Sequence, residues 1–325
     1  MIRSTKYLNC WWGIDLRKRY ENLDRVENNH SFKALSQWRK ERRSKVKNLS
    51  IQIPQAEEKE IETLQLNREK ASITWIGHST FLIQLDGLNI ITDPVWAKWQ
   101  GTDKRLTNPG LAIEDLPEMD IVVISHGHYD HLDFRSIRRL RGNPTYYVPH
   151  GLKSLFVKRG YHKTIEANWW DSFNNQNLKI SFVPAQHWTR RSLFDTNTSH
   201  WGGWMIEETS TQQSIYFVGD TGYFRGFKEI AERFNSINFV LMPIGAYEPE
   251  WFMKNSHINP EDAVKAFRDL NASIFIPMHY GAYRLADDTG PEALGRLYKE
   301  WEQQKLSKEQ LRVLNIGGTL WIDAD

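Results

Sequence analysis

Within six residues the chain places His126, His128, Asp130 and His131, directly after the apolar run Ile121-Val122-Val123-Ile124. Three imidazoles and a carboxylate gain nothing from being crowded by folding alone, because each is better solvated singly. A divalent cation reverses that preference, since nitrogen and carboxylate lone pairs can bind it jointly. A strand running into a loop aims His126 and His128 to the same side by its two-residue alternation. The following turn swings Asp130 and His131 toward a neighbouring point, a geometry that suits two metals better than one. The plainer reading, a polar loop capping a sheet edge, leaves the crowding unexplained.

The remaining ligands are expected downstream. His187 follows the strand-like Lys179-Ile180-Ser181-Phe182-Val183, Asp220 follows Ile215-Tyr216-Phe217-Val218, and His279 follows Ser273-Ile274-Phe275-Ile276. Each ends a β-rich apolar run, which is what a sheet shows when its strand ends form one rim. Singly, such a histidine is usually a hydrogen-bonded structural residue and Asp220-Thr221-Gly222 a turn. Together they form a set. Nitrogen and carboxylate donors without thiolate suit zinc first, with manganese or iron left open, and the sole cysteine, Cys10, lies far from these motifs. Two ions about 3.5–4 Å apart can share a hydroxide and take up charge developing on the substrate, so no serine or cysteine nucleophile is required.

The order of these motifs resembles the metallo-β-lactamase fold hydrolases, from about Ala71 to the C-terminus. It is most similar to the branch containing the N-acyl-phosphatidylethanolamine-hydrolysing phospholipase D. The similar wording lies in His-Tyr-Asp-His-Leu-Asp (128–133), Pro-Ala-Gln-His-Trp (184–188), Gly-Asp-Thr-Gly-Tyr (219–223) and Gly-Ala-Tyr-Glu-Pro-Glu-Trp-Phe-Met-Lys (245–254). The resemblance implies one metal on His126, His128 and His187, a second on Asp130, His131 and His279, and Asp220 bridging them. It also implies Asp130 and His257 as catalytic residues, His257 contacting the substrate phosphate or the leaving group. Asp93, in Thr92-Asp93-Pro94, is the candidate for holding a ligating imidazole from behind, its plainer reading being a turn aspartate. His78 belongs to a family signature outside the ligand set and reads as structural; His30, His150, His162 and His200 have no partners at ligand spacing. The function so implied is a dinuclear zinc phosphodiesterase in which a metal-bridging hydroxide attacks phosphorus, releasing phosphatidic acid and N-acylethanolamine. The alternatives are a small-molecule hydrolase such as a sugar-phosphate lactonase and, third, a non-catalytic or nucleic-acid-binding relative. The chain departs from the branch at Ser256, where a larger amide is expected, in its N-terminal region, and in the basic run Arg135, Arg138, Arg139 and Arg141.

Positioning such a site requires strands whose ends meet. Strand-like runs at 80–84, 88–92, 120–125, 145–148, 179–183, 214–218, 237–242, 273–277 and 312–316 alternate with helix-like segments near 133–141, 151–159, 225–234, 260–270 and 291–304. Periodicity supports an α/β chain. The family implies an αβ/βα four-layer sandwich, two central mixed β-sheets flanked by helices. With 325 residues, 40% of them hydrophobic, one large core suffices. The expected division is a basic N-terminal extension, 1–70, packing on a hydrolase domain, 71–325.

The net charge of +2 conceals an asymmetry, because residues 1–50 hold 13 Lys+Arg against 5 Asp+Glu. Phe32, Leu35 and Trp38 have helical spacing with Arg39, Lys40, Arg42, Arg43, Lys45 and Lys47 around them. Such a helix fits either an anionic membrane surface or an arm whose aromatics pack on the hydrolase domain, and the second reading is preferred. Phospholipid or a small phosphorylated molecule is the expected substrate, with tryptophans 96, 99, 169, 170, 188, 201, 204 and 251 as candidate acyl-chain walls. A specific nucleic-acid partner is not expected, and a homodimer is left open. No stretch approaches the roughly 18–20 apolar residues of a membrane span, and Tyr7 to Trp12 is too short and polar for a secretory core. Cytoplasmic residence, with peripheral membrane contact as an option, is the expectation.

Overall fold

The alternation of apolar side chains along the central strands builds two faces, and the computed structural model, which describes residues 19–26, 31–45, 47–234 and 236–322, shows what covers each. Cys10, the 7–12 run and His30 lie outside the described residues. In the first sheet the strand order is Thr319–Ile322, Ala71–Gly77, Thr80–Leu85, Leu88–Thr92, Met119–Val123, Gly142–Pro149 and Thr164–Ala167. The first four run antiparallel and the rest continue in parallel. A second sheet orders Ile274–Met278, Phe239–Pro243, Ser214–Phe217, Gly203–Glu208, Leu178–Val183 and Ser172–Asn175, with parallel pairing confined to its first three strands.

Residues one apart on the first sheet go to opposite cores. Ile121 and Val123 face the second sheet beside Phe182, Trp204 and Phe217, while Val122 and Ile124 pack outward with Leu132, Ile137 and Phe156. The outer core is closed by the short helices Phe134–Ile137 and Lys153–Val157 and by Leu64 of Ile61–Leu66. On the far side of the second sheet, Gly226–Arg233, Pro260–Leu270 and Gly290–Gln303 supply Phe227, Phe267 and Trp301. Pro260–Leu270 starts where Asn259 accepts from the Asp262 N–H with Pro260 in the first turn. Helix, sheet, sheet, helix is the expected layering. Among the described residues no helix is long and apolar enough to cross a membrane.

Some expected elements differ. Residues 312–316 form no strand: Leu311 makes a single bridge to Phe275, Ile316 bridges Gln55, and after Gly317 the chain pairs as Thr319–Ile322. The expected 133–141 helix shrinks to Phe134–Ile137, because the chain turns at Arg138 into the Gly142–Pro149 strand.

Helix Phe32–Ser44 packs rather than floats. Ser31 caps it by accepting from the Ala34 N–H. Trp38 stacks on Phe252 at 5.0 Å, and its indole N–H reaches Asp287 at 3.3 Å. Asp287, with no exposed side-chain surface, also pairs with Lys45 at 3.1 Å and Arg42 at 3.7 Å. Lys47 continues the series to Glu292 at 2.7 Å and Glu248 at 3.4 Å. Trp38→Ala should therefore cost about 2 kcal/mol of stability in urea unfolding, less than a fully buried tryptophan. Trp38→Phe should recover part of it by keeping the stack, and equal losses in both variants would assign the effect to the Asp287 hydrogen bond alone.

Candidate metal centre

Six strands from both sheets end at one edge, and each hands the chain to a polar residue there. Ala71–Gly77 delivers His78, Leu88–Thr92 delivers Asp93, and Met119–Val123 leads to His126; Leu178–Val183, Ser214–Phe217 and Ile274–Met278 lead to His187, Asp220 and His279. The turns are tight. His78, Asp93 and His279 have φ of 56°, 32° and 61°, a left-handed backbone that non-glycine residues adopt at a cost. A hydrogen bond from His279 N to His78 O at 3.1 Å ties two of these ends, one from each sheet.

The histidines meet in two groups. His126 Nε2 and His187 Nε2 lie 2.9 and 3.2 Å from His128 Nδ1. His131 Nε2 lies 3.2 Å from His279 Nε2 and 3.3 Å from Asp130 Oδ2. Asp220 stands between the groups, 3.1 Å from His279, 3.2 Å from His131 and 3.9 Å from His187. All seven residues expected as ligands are thus brought together.

What lies behind the rings fixes their tautomers. His131 Nδ1 donates to Asp93 at 2.7 Å, His187 Nδ1 to the Ser256 carbonyl at 2.8 Å, and His126 Nδ1 to Ser125 Oγ at 2.9 Å. Ser125 Oγ in turn donates to Asp93 at 2.5 Å, and Ser125 N to the same carboxylate at 2.7 Å. With the outer nitrogen protonated, the inner one presents a lone pair, so His126 and His187 aim lone pairs into one small space. Such an array is repulsive unless a cation or proton sits among it. Asp93 is buried behind His131, and His257 stands on the open side, half-buried, with Nδ1 3.8 Å from Asp220.

The electrostatics point the same way. Burial holds the His126 and His187 rings far below the usual imidazole range and lowers His128 to about 4. Burial also opposes charge on His131 and His279, yet Asp220 and Asp130 outweigh it, raising His279 to about 9 and His131 well above normal. Burial likewise disfavours charge on those carboxylates, and His131 beside them nonetheless holds both well below the usual range. The pocket therefore combines neutral imidazole donors with carboxylates that demand positive charge, and this donor set fits divalent cations.

His78 is the residue that the spacing argument left outside. Its Nε2 lies 3.1 Å from Asp130 Oδ2 and its ring 4.1 Å from that of His279, so it joins Asp130, His131 and His279 in one cluster. It too ends a strand, one that the apolar-run rule passes over. Trp188 stands edge-on to His128 at 4.6 Å, and Tyr129, Trp99 and Trp251 are exposed. Trp201 and Trp204 are core residues and not acyl walls: their indoles donate to Ala185 and Ile124 behind the site. His150, His162 and His200 lie outside the clusters.

Gly219, just before Asp220, has φ of +69°, and a Cβ there would lie 2.7 Å from Ser125 Cβ. Gly219→Ala should cost more than the ~1 kcal/mol of backbone strain alone. Gly160→Ala, at φ +89° with open space around it, isolates that strain, and equal losses in urea unfolding would show that Asp220 tolerates the displacement.

Residues 88–280 match the Beta-lactamase superfamily domain. The chain is 39% identical over 229 residues to N-acyl-phosphatidylethanolamine-hydrolyzing phospholipase D 1 of Caenorhabditis elegans, covering 65% of this chain and 64% of that protein. It is 35% identical over 243 residues to the mitochondrial N-acyl-phosphatidylethanolamine-hydrolyzing phospholipase D of Saccharomyces cerevisiae, covering 70% of this chain and 52% of that one. The chain thus spans less than two thirds of the length of either relative. A metallo hydrolase from the hyperthermophilic archaeon Ignicoccus hospitalis superimposes with a TM-score of 0.59 at 25% identity, covering 78% of this chain and 99% of that one. Motif order, sheet layering and domain match agree: the chain belongs to the beta-lactamase superfamily and has the metallo-β-lactamase hydrolase fold, near the N-acyl-phosphatidylethanolamine-hydrolysing members.

Proposed function

We propose that the chain is a dinuclear zinc hydrolase that cleaves the phosphodiester of N-acyl-phosphatidylethanolamine. The observation that carries the metal reading is the pair of donor groups sharing Asp220, each with inward nitrogens whose outer side is tied or buried. His126, His128 and His187 would hold one ion and Asp130, His131 and His279 the other, with Asp220 between them. The ligand types favour zinc, and the names of the worm and yeast relatives support the substrate.

The chain's own residues orient and shield. Asp93 and Ser125 lock His131 and His126 from behind, and the Ser256 carbonyl locks His187, so the inward nitrogens are held before any substrate arrives. His78 holds Asp130 by one oxygen, fixing the carboxylate that faces the second group. His257, on the open side, is placed to hydrogen-bond a phosphate oxygen or the departing alcohol oxygen. When bound, the metals supply Lewis acidity and bring the pKa of a water toward neutrality. Water adds to phosphorus, the bond to the ethanolamine oxygen breaks, and that oxygen takes a proton, giving phosphatidic acid and N-acylethanolamine. Trp188 and Tyr129 at the mouth offer apolar surface to an acyl chain.

Elemental analysis of protein purified without added metal should find about two zinc ions per chain. Phosphatidic acid release from N-acyl-phosphatidylethanolamine micelles should fall at least about a hundredfold in Asp220→Asn. Two metals with no lipid cleavage would remove the phospholipase assignment and leave the metal one, whereas metal-free protein would remove both. Asp93→Asn, which replaces the acceptor behind His131, should weaken metal binding about 10–100-fold in a chelator competition. Chelation should also lower the thermal midpoint of wild type, with recovery on adding zinc.

A further inference from the structure

Beside the histidine cluster, the short ribbon made by Trp99–Gln100 and Asp103–Lys104 borders a groove of about 510 Å³. Its lining includes Trp96, Lys98, Trp99, Lys104, Arg105 and Arg139. This is the size of a small-molecule site, and four of its eleven lining residues are cationic. Glu114 pairs with Arg139 at the edge. Among the described residues Lys98, Lys104 and Arg105 have no carboxylate within ion-pair distance; the nearby Asp103 faces Arg42 at 3.5 Å.

Arg105 is the unusual member. Its guanidinium is half-buried, donating through Nε to Thr107 O at 2.9 Å and through Nη1 to Val95 O at 3.1 Å and Tyr283 Oη at 2.6 Å. All three acceptors are neutral. A cation drawn out of water and met only by neutral oxygens keeps its attraction for an anion, and Lys98 and Lys104, both exposed, add to it at the rim. The apolar part of the groove sets two indoles beside the aliphatic Pro109, Leu111, Ala112 and Ile113. Trp96 is anchored by its indole N–H on Leu111 O at 2.9 Å, and Trp99 is 57% exposed.

We infer that this groove binds the phosphate group of an amphiphile, the cations holding the phosphate and the two indoles the adjoining hydrocarbon. The place is distinct from the histidine cluster and connected to it. Tyr283, which accepts from Arg105, meets the His78 ring edge-on at 5.3 Å, and His78 holds Asp130. The Tyr283 ring alone lies between the Arg105 guanidinium and His78 of the cluster.

The test is calorimetric titration of the whole protein at fixed ionic strength with short-chain phosphatidic acid below its micelle concentration, against inorganic phosphate and the matching uncharged diacylglycerol. The lipid should bind more tightly than either. Lys98→Glu/Lys104→Glu should lower its affinity at least about tenfold and Trp99→Ala several-fold, while metal content and thermal midpoint stay at wild-type values. Lys153→Glu/Lys158→Glu, an equal charge change at exposed positions of the helix Lys153–Val157 and its C-cap, should leave affinity unchanged. Undiminished binding in the first double variant would overturn the inference, as would an equal loss in the second pair or inorganic phosphate matching the lipid. Lipid binding that survives the first pair and vanishes in Asp220→Asn would place the lipid in the histidine cluster and overturn it as well.

Discussion

Lone pairs facing one another across about 3 Å are the constraint on which this structure turns. His126, His128 and His187 converge nitrogen to nitrogen, while His131 and His279 meet beside Asp220, whose charge favours a cation or proton between them. Nothing in ordinary core packing favours such contacts. They are held by what stands behind them: Asp93 behind His131, Ser125 behind His126, the Ser256 carbonyl behind His187. Those supports rest on strand ends whose own partners are core, including Trp204 donating to Ile124 and Trp201 to Ala185. The two-core arrangement thus gives a rigid rim, and left-handed backbone at His78, Asp93 and His279 is tolerated because both sheets hold it.

Much of that rim was legible in the sequence, because an apolar β-rich run ending in histidine or aspartate is visible without coordinates. The convergence of His126, His187, Asp220 and His279 follows from this rule. The Ala71–Gly77 strand escaped it, and with it the place of His78 in the site. Its polar residues Ser72 and Thr74 are fully buried, satisfied by Gln84 and by Thr319 across the neighbouring strands, and local sequence does not reveal partners that distant. Gly203–Glu208 was obscured for another reason. Gly202 and Gly203 at its start are poor strand formers by composition, yet Gly203 allows close approach, since a Cβ there would lie 2.6 Å from Phe217 O. At 312–316 apolar composition misled, because Leu311 and Leu314 pack on the core from an irregular segment.

The basic N-terminal stretch shows how charge can be divided along one helix and the few residues after it. Arg42, Lys45 and Lys47 turn inward to Asp287, Glu248 and Glu292, and Trp38 and Leu35 fill the space between. Lys33, Arg39, Lys40 and Arg43 remain exposed. The inward set grips two loops at once. Ala246 and Glu248 donate backbone N–H groups to Asp288, next to Asp287, so the 245–257 segment that carries His257 and the loop after His279 meet under the helix. Order at the open side of the site is in this way secured from outside the sheets.

The partners of the site are far apart along the chain: His131 and His279 are separated by 148 residues. During synthesis the His126 to His131 cluster leaves the ribosome long before its counterpart exists. Until Ile274–Met278 has paired at the edge of the second sheet, only a half-site is available to a passing cation. The complete coordination shell is consequently a late product of folding. A cation held by the whole donor set therefore meets a chain whose two sheets have already closed, not a nascent one.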